Sequence, residues 1–276
     1  MLIHSLNGPW KLEDKSRRYR VSAHIPCSNL TALLHAGKIS DPLARDNEKQ
    51  IIPLAERTWI FSRTFEVKED LLSEENIILR CKCLDTLATI RINGTRIGTA
   101  NNFHRQWEFP VKKNLRKGLN TIDISFDSPL HYHEPFEKEY GTLAGCEQPG
   151  SVGKVSWIRK PAYHLGWDWG PALVPCGISR DIELVGWSTA RIADVTIHQQ
   201  HKKNLCDLDI LIDLLGQAND LKASIAVVFE GKVVAEDMIT LHSPTASLKL
   251  RIKNPELWWP NGLVRNAASA LCCSPS

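Results

Sequence analysis

The chain has 276 residues, 43% of them hydrophobic and 24% charged, with a formal net charge of +3. That balance belongs to a soluble globular protein with room for one large domain or two ordinary ones, and it excludes disordered and collagen-like classes. The basic excess is small and falls in scattered pairs such as Arg17-Arg18, Lys112-Lys113 and Lys202-Lys203, so no nucleic acid partner is expected.

No apolar run reaches the ~18 to 20 residues of a membrane helix, so no membrane partner is expected either. Met1 to Asn7 has neither a basic n-region nor an apolar h-region. The expectation is a cytoplasmic protein without a secretory signal.

In chain order, a short helix comes first. Ser28 or Asn29 caps it, Leu30, Leu33 and Leu34 form its apolar stripe, and Gly37 ends it. Thr58 to Val67 then alternates. Trp59, Phe61, Phe65 and Val67 share one face, and Ile60, Ser62, Thr64 and Glu66 share the other. Ile77, Leu79, Cys81 and Cys83 repeat that period. Ile90-Arg91-Ile92 meets Asn93-Gly94 and then Thr95-Arg96-Ile97, which predicts a hairpin whose two turn residues take positive φ. Ile122, Ile124 and Phe126 alternate with polar neighbours. His131 to Tyr140 adds a turn or two of helix, and Ile182 and Leu184 close the first β series. Many short strands without alternating helices argue for a sandwich or barrel.

Between Gly141 and Pro175 the pattern stops. This stretch holds six Gly, four Pro and three Trp, and a loop of that length inside a compact domain is commonly functional. A second unit starts near Thr189. Strands are predicted over 192–198, 205–215, 221–229, 233–238 and 246–252, with a turn at Glu230-Gly231. Five strands over this length suggest an immunoglobulin-like sandwich short of its usual seven. Residues 264–276 show no strand period, and no structural role is expected for them.

The eight Cys contain no CxxC pair, so the usual zinc spacing is absent. Cys81 and Cys83 read as small core residues. Without an export signal no disulfide framework is expected. His131-Tyr132-His133 has no third ligand at a usual spacing, so no metal is expected. Asn29-Leu30-Thr31 and Asn93-Gly94-Thr95 match the glycosylation sequon. Glu134, Glu137 and Glu139 sit in a charged stretch that reads as a solvated surface.

The chemistry concentrates in Arg159-Lys160-Pro161-Ala162-Tyr163-His164-Leu165-Gly166-Trp167-Asp168-Trp169-Gly170-Pro171. A carboxylate between two indoles, flanked by Gly and Pro, suits a rigid loop. The indoles offer flat faces for a sugar ring, and Asp168 can accept hydrogen bonds from two hydroxyls. On spacing alone a second reading stands beside this one, in which the loop packs on its own domain with Asp168 bonded to backbone amides.

The run Trp167-Asp168-Trp169-Gly170-Pro171 resembles the signature of β-mannosidases in glycoside hydrolase family 2. Leu6-Asn7-Gly8-Pro9-Trp10, Trp59 to Phe65 and Pro255-Glu256-Leu257-Trp258-Trp259-Pro260-Asn261-Gly262 agree with that family in order and spacing, so the likeness covers about Leu6 to Leu263. The resemblance implies an all-β chain. Residues 1–187 form a jelly-roll, galactose-binding-like sandwich. Residues 188–263 form an incomplete immunoglobulin-like sandwich, and 264–276 form a tail outside the family pattern.

The resemblance also implies an exo-hydrolase that releases terminal β-D-mannose with retention, without a cofactor. Retention needs two carboxylates about 5 to 5.5 Å apart. In this family both are glutamates on a (β/α)₈ barrel that follows the two sandwiches, and such a barrel needs roughly 250 residues. The chain is therefore expected to be the N-terminal fragment of such an enzyme, inactive alone, with no catalytic residue of its own and the missing barrel as its partner. A shifted frame, a retained intron or a wrong gene-model end accounts for the tail on this reading. By the same likeness Trp167 and Asp168 sit at the rim of the mannose pocket, where the carboxylate holds hydroxyls and the indole helps to close the pocket. Trp169, Gly166, Gly170 and Pro171 shape the loop, Arg159 pairs with a nearby acid, and Trp167, Asp168, Trp169 and Arg159 are the expected substrate-binding residues. Affinity for a β-mannoside glycan is expected to be weak. A free-standing carbohydrate-binding module and a structural or interaction domain remain as alternatives.

Overall fold

A computed structural model describes residues 1–143, 150–217, 220–260 and, for the backbone, 269–275. The chain divides into two compact units, 2–186 and 187–276, with Met1 grouped with the second. No helix among the described residues is long and apolar enough to cross a membrane.

The first unit is all β apart from short helices. Its strands are β1 (Leu2–Ser5), β2 (Gly8–Asp14), β3 (Arg20–Ile25), β4 (Cys27–Ser28), β5 (Trp59–Val67), β6 (Asn76–Cys81), β7 (Leu84–Asp85), β8 (Ala88–Ile92), β9 (Thr95–Ala100), β10 (Trp107–Pro110), β11 (Gly118–Phe126), β12 (Gly177–Ile178) and β13 (Ile182–Trp187). Six strands pair in the order β3-β2-β5-β11-β8-β9. Four more pair as β1-β13-β6-β10, and the short strands form a third sheet, β4-β12-β7. This is the sandwich that the period-two pattern and the galactose-binding-like resemblance predict.

The period explains the core. Trp59, Phe61, Phe65 and Val67 of β5 are buried, and so are Ile122, Ile124 and Phe126 of β11, which lies antiparallel beside it. Phe61 meets Phe126 edge to face, with ring centroids 5.6 Å apart, the geometry that aromatic quadrupoles prefer. The indole N–H groups of Trp10 and Trp59 do not go unpaired in this core. They donate to the carbonyls of Leu6 and Leu54, at 2.8 and 2.9 Å. Cys81 and Cys83 are buried as expected, and burial pushes the Cys83 thiol up to about 11.

Helix α1 (Asn29–His35) starts where its cap predicts: Ser28 Oγ accepts from the Thr31 amide at 3.1 Å. Its buried arc runs through Asn29, Leu30, Ala32 and Leu33, and Leu34 lies outside it, 39% exposed. The expected stripe is therefore corrected at Leu34. The Asn93-Gly94 turn takes φ values of 50° and 81°, as the hairpin requires. Both sequon asparagines are built into the fold. Asn29 is buried and its Oδ1 accepts from the Cys176 amide at 2.9 Å. Asn93 Nδ2 donates to the Asn114 carbonyl and to Asn120 Oδ1, and its Oδ1 accepts from the Thr121 amide. After helices α2 (Ile52–Ala55) and α3 (Glu69–Ser73) comes α4 (Glu134–Tyr140). There Glu137 departs from the solvated reading. It is half-buried, with Oε2 3.7 Å from His133 Nε2.

The second unit holds β14 (Ala190–Lys202), β15 (Leu205–Gly216), β16 (Leu221–Phe229), β17 (Lys232–Leu241), β18 (Thr245–Lys253) and β19 (Ser269–Pro275). They form two three-stranded sheets, β14-β15-β18 and β17-β16-β19. Glu230-Gly231 makes the turn between β16 and β17 with φ of 47° and 77°. Its described core is aliphatic: Leu208, Ile210, Ile212, Ile225, Val227, Leu248 and Leu250 are buried. A cavity of about 210 Å³ opens in this unit beside Ile197, Leu208, Val227 and Ile252.

The tail corrects one expectation. Residues 269–275 are a strand, antiparallel to β16 from Ala223 to Phe229. Ladder hydrogen bonds are made by the backbone and need no alternation of side chains, so a hydropathy period could not reveal this strand. Residues 264–268 lie outside the described residues.

Candidate functional site

The segment 150–175 is folded from its ends inward. At its neck the Arg159 carbonyl accepts from the Phe103 amide at 2.8 Å, beside a parallel bridge between Asn102 and Arg159. In its middle the Val152 amide donates to Leu165 and the Val174 amide to His164, each at 2.7 Å. Two single turns of 3-10 helix, Val155–Trp157 and Ala162–Leu165, tighten the path. Beneath it lies a small apolar cluster of Ile158, Leu165 and Val174 with Ala55 and Leu130. Trp157 stacks on Phe136 of α4, 5.6 Å between centroids and 13° between planes. This indole therefore belongs to the packing of the loop, not to its exposed face.

The tip is a tight turn. The Trp167 amide donates to the Gly170 carbonyl at 3.0 Å and the Gly170 amide returns to Trp167 at 3.4 Å, so Asp168 and Trp169 are the two corner residues. Gly166 enters the turn at φ +100°, ψ 159°, where side chains other than hydrogen are rarely accepted. A Cβ there would lie 3.0 Å from Ala172 Cβ, 3.1 Å from the Gly150 carbonyl oxygen and 3.2 Å from Ser151 Cα. Glycine is required at this position by both conformation and space.

The structure brings Trp167, Asp168 and Trp169 together and sets Arg159 apart at the neck. Trp169 is 79% exposed and Trp167 is half-buried, with ring centroids 6.4 Å apart and planes tilted by 50°. Asp168 is exposed, and no hydrogen bond or ion pair holds its carboxylate among the described residues. Arg159 is exposed and makes no ion pair with a carboxylate among the described residues. No group of three or more His, Cys, Asp or Glu is placed to hold a metal ion among them either.

Sequence reasoning missed the buried charges where the Trp-Asp-Trp arm begins. Lys160 and Asp85 bury their side chains almost completely, 1% and 2% exposed, with Nζ 2.5 Å from Oδ1. Lys160 Nζ also donates to the Pro175 carbonyl at 2.6 Å. Thr86 Oγ1 donates to Asp85 Oδ1 at 2.5 Å, and His164 Nδ1 stands 3.4 Å from Asp85 Oδ2. Burial pushes the Asp85 carboxyl up. The His164 contact, the Lys160 charge and hydrogen bond, and the Thr86 hydroxyl outweigh it, so the group lies below its ordinary range. Lys160 and His164 both sit in the signature run, but nothing in a sequence pairs them with an aspartate 75 residues upstream of Lys160.

Comparison with known proteins adds the wider setting. The family described as "Glycosyl hydrolase 2 galactose-binding domain-like" matches residues 10–180. Beta-mannosidase B of Emericella nidulans is 27% identical over 269 residues, which cover 94% of this chain and 31% of that protein. Beta-mannosidase of Capra hircus is 25% identical, with the same shares covered. Among solved structures, the β-D-mannosidase of Dictyoglomus thermophilum superposes with a TM-score of 0.87 at 30% identity, over 99% of this chain and 34% of that one. The exo-chitosanase of Amycolatopsis orientalis shares the fold, with a TM-score of 0.67 at 14% identity. The chain thus spans about a third of the length of the relatives it matches.

Proposed function

This chain belongs to the glycosyl hydrolase 2 galactose-binding domain-like family, and from that premise we propose that it is the N-terminal portion of a β-mannosidase, in which the Trp167–Gly170 turn supplies one wall of a mannose site. Its sequence aligns with the N-terminal part of the β-mannosidases. The observation that carries the proposal is the tip of the loop. Asp168, exposed and without a partner among the described residues, stands between two indoles on a turn closed by its own backbone. A packed structural loop would have taken that carboxylate into backbone amides and covered Trp169. Instead two acceptor oxygens and an apolar ring face are presented to solvent, the pair of surfaces a hexose recognises.

The magnitude of binding follows from having one wall. Two hydrogen bonds to a carboxylate contribute about 1.5–3 kcal/mol each. Lost translational and rotational freedom opposes them by about 4 kcal/mol or more. The remainder does not exceed the ~4 kcal/mol of a millimolar complex. The site residues of this proposal are Trp167, Asp168 and Trp169. Arg159, at the neck, takes no sugar on this reading. Hydrolysis with retention needs two carboxylates about 5 to 5.5 Å apart, which the family resemblance puts on the barrel, so on this reading the two units described here turn over no mannoside by themselves.

Calorimetry with mannose and β-manno-oligosaccharides tests both statements. Millimolar or weaker binding that disappears in Asp168→Ala is expected. A micromolar constant would overturn the one-wall argument and favour a free-standing binding module. Steady release of product from a chromogenic β-mannoside by the purified chain would overturn the claim of inactivity.

A further inference from the structure

We propose that Lys160 and Asp85 are positioning residues that clamp the neck of the Trp-Asp-Trp loop and so hold Asp168 and its indoles in a binding-ready arrangement. The inference rests on the proposed sugar-binding role of that loop, but its physical content does not need a sugar. The part of the loop that carries the Trp-Asp-Trp turn leaves its neck at Lys160 and returns at Pro175. Lys160 Nζ joins the two ends directly, because it donates to the Pro175 carbonyl at 2.6 Å. The same ammonium is tied to the sheet through Asp85, the last residue of β7, at 2.5 Å. β7 pairs with β12, Gly177 opposite Asp85, so the clamp sits two residues from the strand that receives the loop.

A third group approaches from inside the loop without a hydrogen bond. His164 Nδ1 approaches the other oxygen of the same carboxylate at 3.4 Å, and the His164 carbonyl accepts from the Val174 amide. Its ring packs edge-on against Phe103 at 5.9 Å and Tyr163 at 4.7 Å. One buried carboxylate therefore gathers the outgoing arm through Lys160 and, through the ammonium, the returning arm at Pro175, with the His164 ring packed 3.4 Å from its other oxygen.

A buried pair like this is weak evidence for stability, because hydrophobic residues of similar volume serve the core as well or better. Its geometry gives a different reason to keep it. An apolar side chain at 160 fills the space but offers no donor to the Pro175 carbonyl, so the two arms would be held by the backbone bonds further out and by the apolar packing of Ile158, Leu165 and Val174. Preorganisation is what a one-wall site depends on, since a loop that must be ordered on binding loses affinity it does not have to spare.

The test uses the full chain with hydrogen exchange read by mass spectrometry. Lys160→Met alone leaves the Asp85 carboxylate buried without its main partner and risks the fold. The informative variant is Lys160→Met with Asp85→Asn, which removes both charges together. Peptides within 150–157 and 163–175, which carry the Val152, Trp167 and Val174 amides, are expected to exchange at least tenfold faster than in the parent chain. Peptides from β5 and β11 should change less than twofold.

Unchanged exchange in the loop would overturn the clamp. So would equal acceleration in loop and sheet, which would mean that the pair supports only global stability. A parallel mannose titration separates the two proposals. A loosened loop in the double variant supports the clamp even where the parent chain binds no mannose, an outcome that would remove only the sugar reading.

Discussion

The entry of the loop into its terminal turn allows a controlled experiment on what a glycine contributes. Gly166 and Gly141 occupy the same sparsely allowed backbone region, at φ 100°, ψ 159° and φ 80°, ψ 173°. An alanine at either position should cost about 1–3 kcal/mol for conformation alone. They differ in space. A Cβ on Gly141 meets nothing within 4 Å among the described residues, whereas on Gly166 it meets three atoms at 3.0 to 3.2 Å, two of them backbone atoms of Gly150 and Ser151. Backbone cannot rotate away, and overpacking of this kind adds about 1–3 kcal/mol. Gly166→Ala should therefore destabilise the chain by at least about 1 kcal/mol more than Gly141→Ala. Urea unfolding with linear extrapolation reads the difference. Equal losses, within the ~0.5 kcal/mol scatter of indifferent substitutions, would show that the loop is not packed around Gly166 as described.

Two further outcomes test the rest of the molecule. Phe61 is fully buried against Phe126, so Phe61→Ala should lose about 3–5 kcal/mol by chemical denaturation; a loss below ~1 kcal/mol would contradict its central place in the sandwich. In the second unit the hydrogen bonds from Arg251 Nε and Lys202 Nζ, at 2.5 and 2.7 Å, hold the Asp207 carboxyl down to about 2. Its folded value lies below its unfolded one, so its contribution is present above pH ~4 and fades as pH falls through about 2. Carboxyl titration by NMR should show that low value in the parent chain and a return toward the ordinary range in Arg251→Ala, and a normal value in the parent would refute the pairing.

The sandwich was legible in the sequence because its strands are half-buried: Trp59, Phe61 and Phe65, or Ile122, Ile124 and Phe126, repeat at the period that puts them on one face. The hairpin at Asn93-Gly94 was legible because its backbone needs positive φ, which few residues accept. The Trp-Asp-Trp turn was legible as chemistry and by resemblance, but not as geometry. That Trp157 stacks under α4 while Trp169 faces solvent depends on contacts that no local pattern encodes. The Lys160–Asp85 pair was invisible for the same reason, since a lysine and an aspartate in separate segments read as two ordinary surface charges. Strand β19 escaped for a different one: its order comes from the carbonyl and amide groups of β16 beside it, and backbone complementarity leaves no mark on hydropathy.

The engagement of both sequon asparagines has a consequence for any oligosaccharide attached to this chain. The Asn29 amide nitrogen is sealed inside the first unit, and that of Asn93 is committed to a carbonyl and a second asparagine. A transferase meeting the finished fold finds the Asn29 nitrogen out of reach and must break two hydrogen bonds to engage that of Asn93. One that reached Asn29 on the nascent polypeptide would leave a sugar where α1 must close over Cys176, and that molecule could not mature into the form described above. Two consensus tripeptides therefore mark joints of the framework, and in the folded protein the buried one at Asn29 is closed to conjugation.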